Sequence, residues 1–169
     1  MKIMKLSPNQ IITLNDYPVH SNSILSEYVG KCKLGSEIPF VPVIRTEMVR
    51  KHLEDQLLEK LKEFETRAPE AEYFMIDGSH RTTALTLSGC KIPAILYEKT
   101  EDIMEAGKLV ATGQILESGT LNHSLEENCQ ILNQHFKEKP YFQTVKEKTR
   151  KMVRGKVLPP SLIKGYKLK

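Results

Sequence analysis

The chain has 169 residues, of which 40% are hydrophobic and 27% are charged, and its formal net charge is +4. A chain of this length can bury its own core, and no apolar run approaches the roughly 20 residues that span a bilayer. Its first residues lack the apolar core of a signal peptide, and its three cysteines are odd in number and widely spaced, which argues against a disulfide framework or a cysteine zinc site. We therefore expect a cytoplasmic protein without a membrane-spanning segment.

Predicted strands and helices alternate over the first hundred residues. Short β-branched or apolar runs between turn formers predict strands, and apolar residues at steps of three or four predict helices. Pro39 and Pro42 each lack an N–H for a β-ladder, so their strand is expected at a sheet edge or a bulge. Gly89 is expected to end the helix that follows Gly78 in the left-handed conformation. The predicted strands are residues 10–18, 38–45, 73–77 and 91–98, and the predicted helices are residues 21–33, 46–64 and 79–88.

The sequence after residue 99 has a mainly helical pattern. Ser124 and Glu127 have the spacing of a capping box at the start of one helix. A basic helix is expected over residues 141–155, and the two prolines of the following segment "VLPPS" are expected to end it. The predicted fold class is therefore α/β (α+β): a small mixed sheet with flanking helices over residues 1–99, followed by a mostly helical, basic C-terminal region over residues 100–169.

The charge of the chain is unevenly distributed. From residue 139 to the end, ten Lys or Arg residues accompany a single acid, Glu147, whereas the preceding part is acidic. A basic segment after an acidic body suggests a phosphate-rich partner such as DNA or RNA. A solvated, partly disordered lysine-rich tail is the alternative. The residues expected to contact nucleic acid are Lys146, Lys148, Arg150, Lys151, Arg154 and Lys156.

The most informative stretch is "YFMIDGSHRTTALTLSGCKIPAILYE", in which an apolar strand turns into a helix. The first N–H groups of such a helix have no internal partners, and with the helix dipole they favour an anion such as phosphate. Asp77 follows the strand and can accept a ligand hydroxyl, hold His80 or Arg81, or carry a metal ion. The same sequence is also compatible with an ordinary Asp-Gly turn followed by a solvated His-Arg pair. The residues predicted to bind the phosphate are Gly78, Ser79, His80, Arg81, Thr82 and Thr83.

This stretch also resembles the signature of the ParB/sulfiredoxin fold family, and "SILSEYVGKC" and "IPFVPVI" precede it in the family's order. The resemblance covers roughly residues 10–98. It implies a ParB/sulfiredoxin-type fold and a bound nucleotide, ATP or another, with Mg²⁺ as a companion ion. The family includes CTP-binding partition proteins, ATP-using sulfiredoxins, free-serine kinases and nucleases. The "DGxHR" turn is closest to the serine kinases, and the resemblance thereby implies Asp77 and His80 as catalytic residues.

Several departures separate the chain from these relatives. Ser79 occupies the position of the sulfiredoxin cysteine, and no convincing helix-turn-helix of the partition proteins follows Thr100. The segment "YPVHSNS" has His20, a candidate pocket residue, but lacks the catalytic glutamate of the kinases. Glu27, about two turns later, is the one substitute for that glutamate, and Glu27 and Glu47 are weaker candidates than Asp77 for a carboxylate that holds Mg²⁺.

Three classes of function stay open at this point. The first is a nucleotide-dependent phosphotransferase or hydrolase acting at the "DGSHR" turn. The second is a DNA- or RNA-binding protein, with a nuclease as a variant, that uses the basic C-terminal region. The third is a partner-binding protein that keeps the fold without its chemistry. No metal site is predicted, and His52, His123 and His135 are given no role because they lack partners at metal-ligand spacing.

Overall fold

The computed structural model describes residues 1–19 and 21–167, and these residues form a mixed α/β structure around a five-stranded sheet. The strands are β1 (Lys2–Leu6), β2 (Ile11–Ile12), β3 (Val41–Arg45), β4 (Tyr73–Met75) and β5 (Ile92–Leu96). The helices are α1 (Asn22–Lys33), α2 (Thr46–Arg50), α3 (Asp55–Arg67), α4 (Ser79–Leu87), α5 (Thr100–Gly107), α6 (Leu125–Glu138), α7 (Val145–Arg154) and α8 (Pro160–Ile163). Short 3-10 segments cover Pro8–Gln10 and Gly119–Asn122. The predicted fold class, a mixed sheet with flanking helices, is confirmed.

The order of the strands across the sheet decides which loops meet. The order is β1-β5-β3-β4-β2, with β2 parallel to β4 and β3 antiparallel to β4. Strands β2 and β4 therefore end on the side of the sheet where β3 begins. The segment after β2, the start of β3 and the turn that leads into α4 lie together on this side.

Strand β3 is central, and the prediction of an edge position or a bulge for it was wrong. It pairs with β5 on one side and with β4 on the other. Val43 lies opposite Met75, the last residue of β4, so Pro42 lies opposite the residue that follows β4. Pro42 has no N–H to donate to this neighbour, but its carbonyl still accepts from the N–H of Ile76, so one hydrogen bond of the pair is kept.

Two further elements differ from the predictions. Strand β1 was not predicted, and it pairs antiparallel with β5 along the edge of the sheet. The single helix expected over residues 46–64 is divided into α2 and α3. Leu53 packs into the core at this break, and the backbone N–H of Glu54 donates to the side chain of Asn133. These two contacts stabilise the chain where the helical backbone hydrogen bonds are interrupted.

The C-terminal helices share a core with the sheet. Phe74 of β4 contacts Phe136 of α6 and also Phe142, with ring centroids 5.6 and 5.9 Å apart. A single antiparallel bridge joins Ile12 to Thr144. Residues before and after position 99 thus bury the same aromatic cluster, and this cluster fixes the C-terminal region against the sheet. No helix in the described ranges has the length and apolar character needed to cross a membrane.

Helix α4 lies between α1 and α7. Every residue of α4 except His80 is buried. Ala84 belongs to an apolar cluster with Leu25 of α1 and Met152 of α7. Gly89 follows α4 with a φ of +71°, which confirms the predicted left-handed residue at its end. The position of the α4 amino terminus is therefore set by helices from both halves of the chain.

Candidate functional site

The turn into α4 depends on Gly78. Its φ is +112°, a conformation that side-chain-bearing residues rarely adopt. A Cβ at this position would lie 3.2 Å from two methyl carbons of Val41 and 3.3 Å from Nη2 of Arg81. Glycine is therefore required both by the backbone conformation and by the close approach of strand β3.

Arg81 is buried at this turn, with 3% of its side chain exposed. Its Nη1 donates to the carbonyl oxygens of Phe40, at 2.6 Å, and Pro39, at 3.3 Å, and its Nη2 donates to Oδ2 of Asp77 at 2.9 Å. Burial lowers the pKa of Arg81, and the Asp77 carboxylate opposes this effect. Arg81 therefore ties the turn to the start of β3. The prediction of a direct phosphate contact by its guanidinium does not fit, because the protein's own oxygens occupy the fork.

Ser79, the first residue of α4, is held by a residue pair that the sequence reasoning missed. Its hydroxyl donates to Oδ1 of Asp16 at 2.8 Å. The same oxygen accepts from Nζ of Lys148 at 2.6 Å, and Lys148 also donates to the carbonyl of Leu14. Lys148 is only 2% exposed, and burial lowers its pKa, with Asp16 acting in the opposite direction. Its predicted role as a surface contact for nucleic acid is therefore wrong.

The two threonines of the first turn face the interior. Thr82 and Thr83 are each 1% exposed. The Thr82 hydroxyl donates back to the carbonyl of Gly78 at 2.9 Å, as threonine does within a helix. Their predicted contribution of hydroxyls to a phosphate site is not compatible with this burial.

His80 joins α4 to the start of α1. Its Nε2 accepts from the backbone N–H of Ser21 at 3.2 Å. A neutral His80 therefore carries its proton on Nδ1. His80 is partly exposed. The other predicted pocket histidine, His20, lies outside the described residues.

A pocket of about 380 Å³ opens beside the turn. Asp77 lines it, and the Asp77 side chain is 37% exposed. Asp77 is the only acidic residue in the described lining, and its Oδ1 has no hydrogen-bond partner within the described ranges. Most other lining residues come from residues 118–123, around the 3-10 segment, and from α6. They include Ser118, Thr120, His123, Asn128 and His135.

His123 and His135 were given no role from the sequence, and the fold brings both to this pocket. Nε2 of His135 accepts from the backbone N–H of Asn15 at 2.9 Å. Burial lowers the pKa of His135, with Lys139 acting in the same direction and Asp16 opposing it. No local pattern could have indicated that these two histidines line the same pocket as Asp77, because they lie more than forty positions from Asp77 in the chain.

Tyr97 is the third group next to Asp77 and Arg81. Its hydroxyl is buried and has no hydrogen-bond partner in the part of the chain that the structure describes. Burial raises its pKa to about 12, and the positive charge of Arg81 partly offsets this shift. Tyr97 is therefore a neutral phenol close enough to Asp77 and Arg81 for their charges to act on its pKa.

The side chains at this site could bind Mg²⁺ only if phosphate oxygens of a ligand supplied further coordination. Within residues 1–19 and 21–167 there is no group of three or more His, Cys, Asp or Glu side chains that could hold a metal ion. Mg²⁺ in nucleotide sites is commonly held by one or two carboxylates together with substrate phosphates and water. Asp77 offers one such carboxylate at the edge of the pocket.

Comparison of the chain with protein-family models, with curated protein sequences and with solved structures found no match. The resemblance to the ParB/sulfiredoxin family stays a prediction. Function is therefore inferred from the geometry of the turn and the pocket.

Proposed function

We propose that the protein binds a nucleotide between the start of α4 and the Asp77 pocket, with Mg²⁺, and that it belongs to the ParB/sulfiredoxin-like nucleotide-binding proteins. One observation carries the proposal: Asp77 belongs both to the turn into α4 and to the wall of a pocket. The pocket volume of about 380 Å³ lies within the roughly 300–1,000 Å³ usual for small-molecule sites. The carboxyl end of a strand is where α/β sheets commonly bind ligands.

The phosphate is assigned to the backbone at the start of α4. The first N–H groups of a helix have no partner within that helix and carry the positive end of its dipole, and Ser79 is the first residue of α4. His80 is partly exposed beside them. The Arg81 side chain acts indirectly, because it fixes the turn from below through Asp77 and Phe40.

The reaction class that suits this site is phosphoryl transfer or nucleotide hydrolysis. Bound Mg²⁺ would supply charge neutralisation on the phosphates, and Asp77 would hold it. Arg81 fixes Oδ2 of Asp77 and so orients the carboxylate. Asp77 and His80 remain the catalytic candidates, Asp77 through the ion that it would hold and His80 as a phosphate or proton contact. His123 is partly exposed and lines the same pocket as Asp77, and its Nδ1 lies 3.0 Å from Oε2 of Glu127.

Calorimetric titration tests the proposal. ATP, ADP, CTP and GTP are titrated with Mg²⁺ into the wild type, Asp77→Asn and His123→Ala. Binding of at least one nucleotide is expected, with an affinity about tenfold or more lower in Asp77→Asn, because the variant loses its charge-assisted contact with the ion.

Glu59→Gln is the matched control, since Glu59 is 75% exposed on α3 and lies away from the pocket lining. Its nucleotide affinity should equal that of the wild type. Absence of binding by all four nucleotides, or equal binding by Asp77→Asn and the control, would contradict the proposal.

A further inference from the structure

A second and larger cavity, of about 530 Å³, lies away from the Asp77 pocket and shares none of its described lining residues. Its walls come from the 3-10 segment after β1, the end of α4, helix α7 and the segment after α8. We propose that this groove, called here the basic groove, binds single-stranded nucleic acid. The proposal is independent of nucleotide binding at the start of α4.

The charge of the basic groove is of one sign. Lys91, Lys146, Arg150 and Lys167 line it, and none of the described lining residues is acidic. Three of these four residues are exposed, and Arg150 is partly buried. Four cations around one concave surface create a positive potential that attracts a polyanion. A ligand with several phosphates is the natural counterpart.

Arg150 gives a more specific indication. Its Nε is buried and has no hydrogen-bond partner among the described residues. Buried polar atoms are nearly always paired in native structures, so the unpaired Nε marks a guanidinium that the described residues leave incompletely paired, in a side chain that lines the groove. A phosphate oxygen is the acceptor that the guanidinium geometry suits best.

The shape of the charged surface favours a strand over a compact anion. Lys146, Arg150 and Arg154 succeed one another at steps of four, so they share one face of α7. Arg154 is exposed and carries the positive charge beyond the cavity itself. The partly exposed Tyr166 lines the groove and offers a ring on which a base can stack. A duplex is disfavoured because the groove receives its ligand in a concavity.

The proposal narrows the set of predicted nucleic-acid contacts on α7. Lys148 points inward to Asp16. Nζ of Lys151 lies 4.6 Å and 5.8 Å from the ring centroids of Tyr17 and Tyr141, where it makes cation–π contacts. Lys146 and Arg150 are the two predicted residues that line the groove. Lys91, far away in sequence, was not predicted.

Fluorescence anisotropy with a labelled oligothymidine tests the proposal on the full chain across a series of salt concentrations. The variant Lys146→Gln/Arg150→Gln should bind at least tenfold more weakly at low salt. The slope of log K against log salt should fall by about 0.7 for each phosphate that the variant no longer neutralises, hence by about 1.4. The variant Lys91→Gln/Lys167→Gln, changed only at exposed positions, should show the same decrease and guards against a folding defect at Arg150.

The control variant Lys51→Gln/Lys62→Gln removes the same charge from exposed positions outside the groove. It should keep the wild-type slope. Asp77→Asn should also bind the oligonucleotide normally, which separates this result from a failure of nucleotide binding. Equal weakening in the groove and control variants would overturn the proposal. The proposal would also be overturned if ATP or tripolyphosphate bound the groove as tightly as the oligonucleotide does. The ligand would then be a small phosphorylated molecule.

Discussion

The ammonium group of Lys148 lies 2.6 Å from Oδ1 of Asp16 in the interior of the protein. The same carboxylate oxygen accepts the hydroxyl of Ser79, the first residue of α4. Helix α7 is thereby attached to the turn that carries the proposed site. The basic C-terminal region, expected from its composition to face solvent, thus supplies part of the support of this turn.

Replacing Lys148 by methionine should destabilise the protein strongly. The variant keeps most of the side-chain volume but leaves the Asp16 carboxylate and the Leu14 carbonyl without their partner. Removal of one member of a buried ion pair typically costs about 3–5 kcal/mol, and the lower end is expected because Asp16 is 33% exposed. Urea denaturation measures the loss. Lys146→Met, at an exposed position of the same helix, should cost less than about 0.5 kcal/mol. Equal midpoints for the two variants would refute the structural role.

Arg81→Met should also destabilise the fold, by about 3 kcal/mol, because Phe40, Pro39 and Asp77 lose their common donor. Arg81→Lys should rescue little of this loss, since a single ammonium cannot reproduce the fork that reaches all three oxygens. Thermal or urea unfolding compares both variants with Arg154→Met, which removes an exposed guanidinium from α7. A fully stable Arg81→Met that only loses ligand binding would mean that Arg81 contacts the ligand directly.

Tyr97→Phe should stabilise the protein or leave it unchanged. The hydroxyl of Tyr97 is buried without a hydrogen-bond partner among the described residues, so its removal ends a desolvation cost. A gain of about 1 kcal/mol in the free energy of unfolding is expected. Tyr141→Phe, at a 42% exposed ring, serves as the reference. A clear loss of stability in Tyr97→Phe would show that the hydroxyl has a partner.

His135 should make the protein less stable in mild acid. Burial lowers the pKa of His135 below its ordinary value of 6.5, and its Nε2 must stay unprotonated to accept from Asn15. Between the folded-state pKa and the ordinary value, the unfolded chain binds more protons than the folded one, so stability rises with pH through this window. The His135 contribution is therefore complete above about pH 6.5 and is lost as the pH falls below it.

Urea unfolding at about pH 7.5 and about pH 5.5 detects this effect, since the two values bracket the ordinary histidine pKa. The wild type should lose more stability between the two conditions than His135→Gln does. The variant is itself expected to be less stable at the higher pH, because the acceptor for Asn15 changes. An identical decrease in both proteins would show that His135 does not titrate in this window.

Local patterns predicted much of the fold. Apolar periodicity indicated α1, α4, α6 and α7, and the side chain of Ser124 accepts from the N–H of Glu127 at the start of α6. Gly89 was expected in the left-handed conformation at the end of α4, and its φ of +71° confirms it. Strand β1 was missed because its sequence "KIMKL" buries only Leu6, as an edge strand does.

The site was harder to predict, because its residues are brought together by tertiary packing. A lysine in a basic helix is normally exposed, and only the position of Asp16 makes the burial of Lys148 tolerable. The guanidinium of Arg81 turned inward because the start of β3 offers carbonyl oxygens that a chain pattern cannot show. His123 and His135 come to line the same pocket as Asp77 only after α6 packs on the sheet.

A ¹H–¹⁵N NMR titration of the full chain with nucleotide and Mg²⁺ tests the central claim most directly, because it locates the ligand. We expect amide shifts to change chiefly at Ser79, His80 and Arg81 and along the pocket wall from Ser118 to Asn128, and we expect Asp77→Asn to need about tenfold or more nucleotide for the same changes. Changes confined to Lys146, Arg150 and their neighbours in the basic groove, or no changes at all, would contradict nucleotide binding at the start of α4.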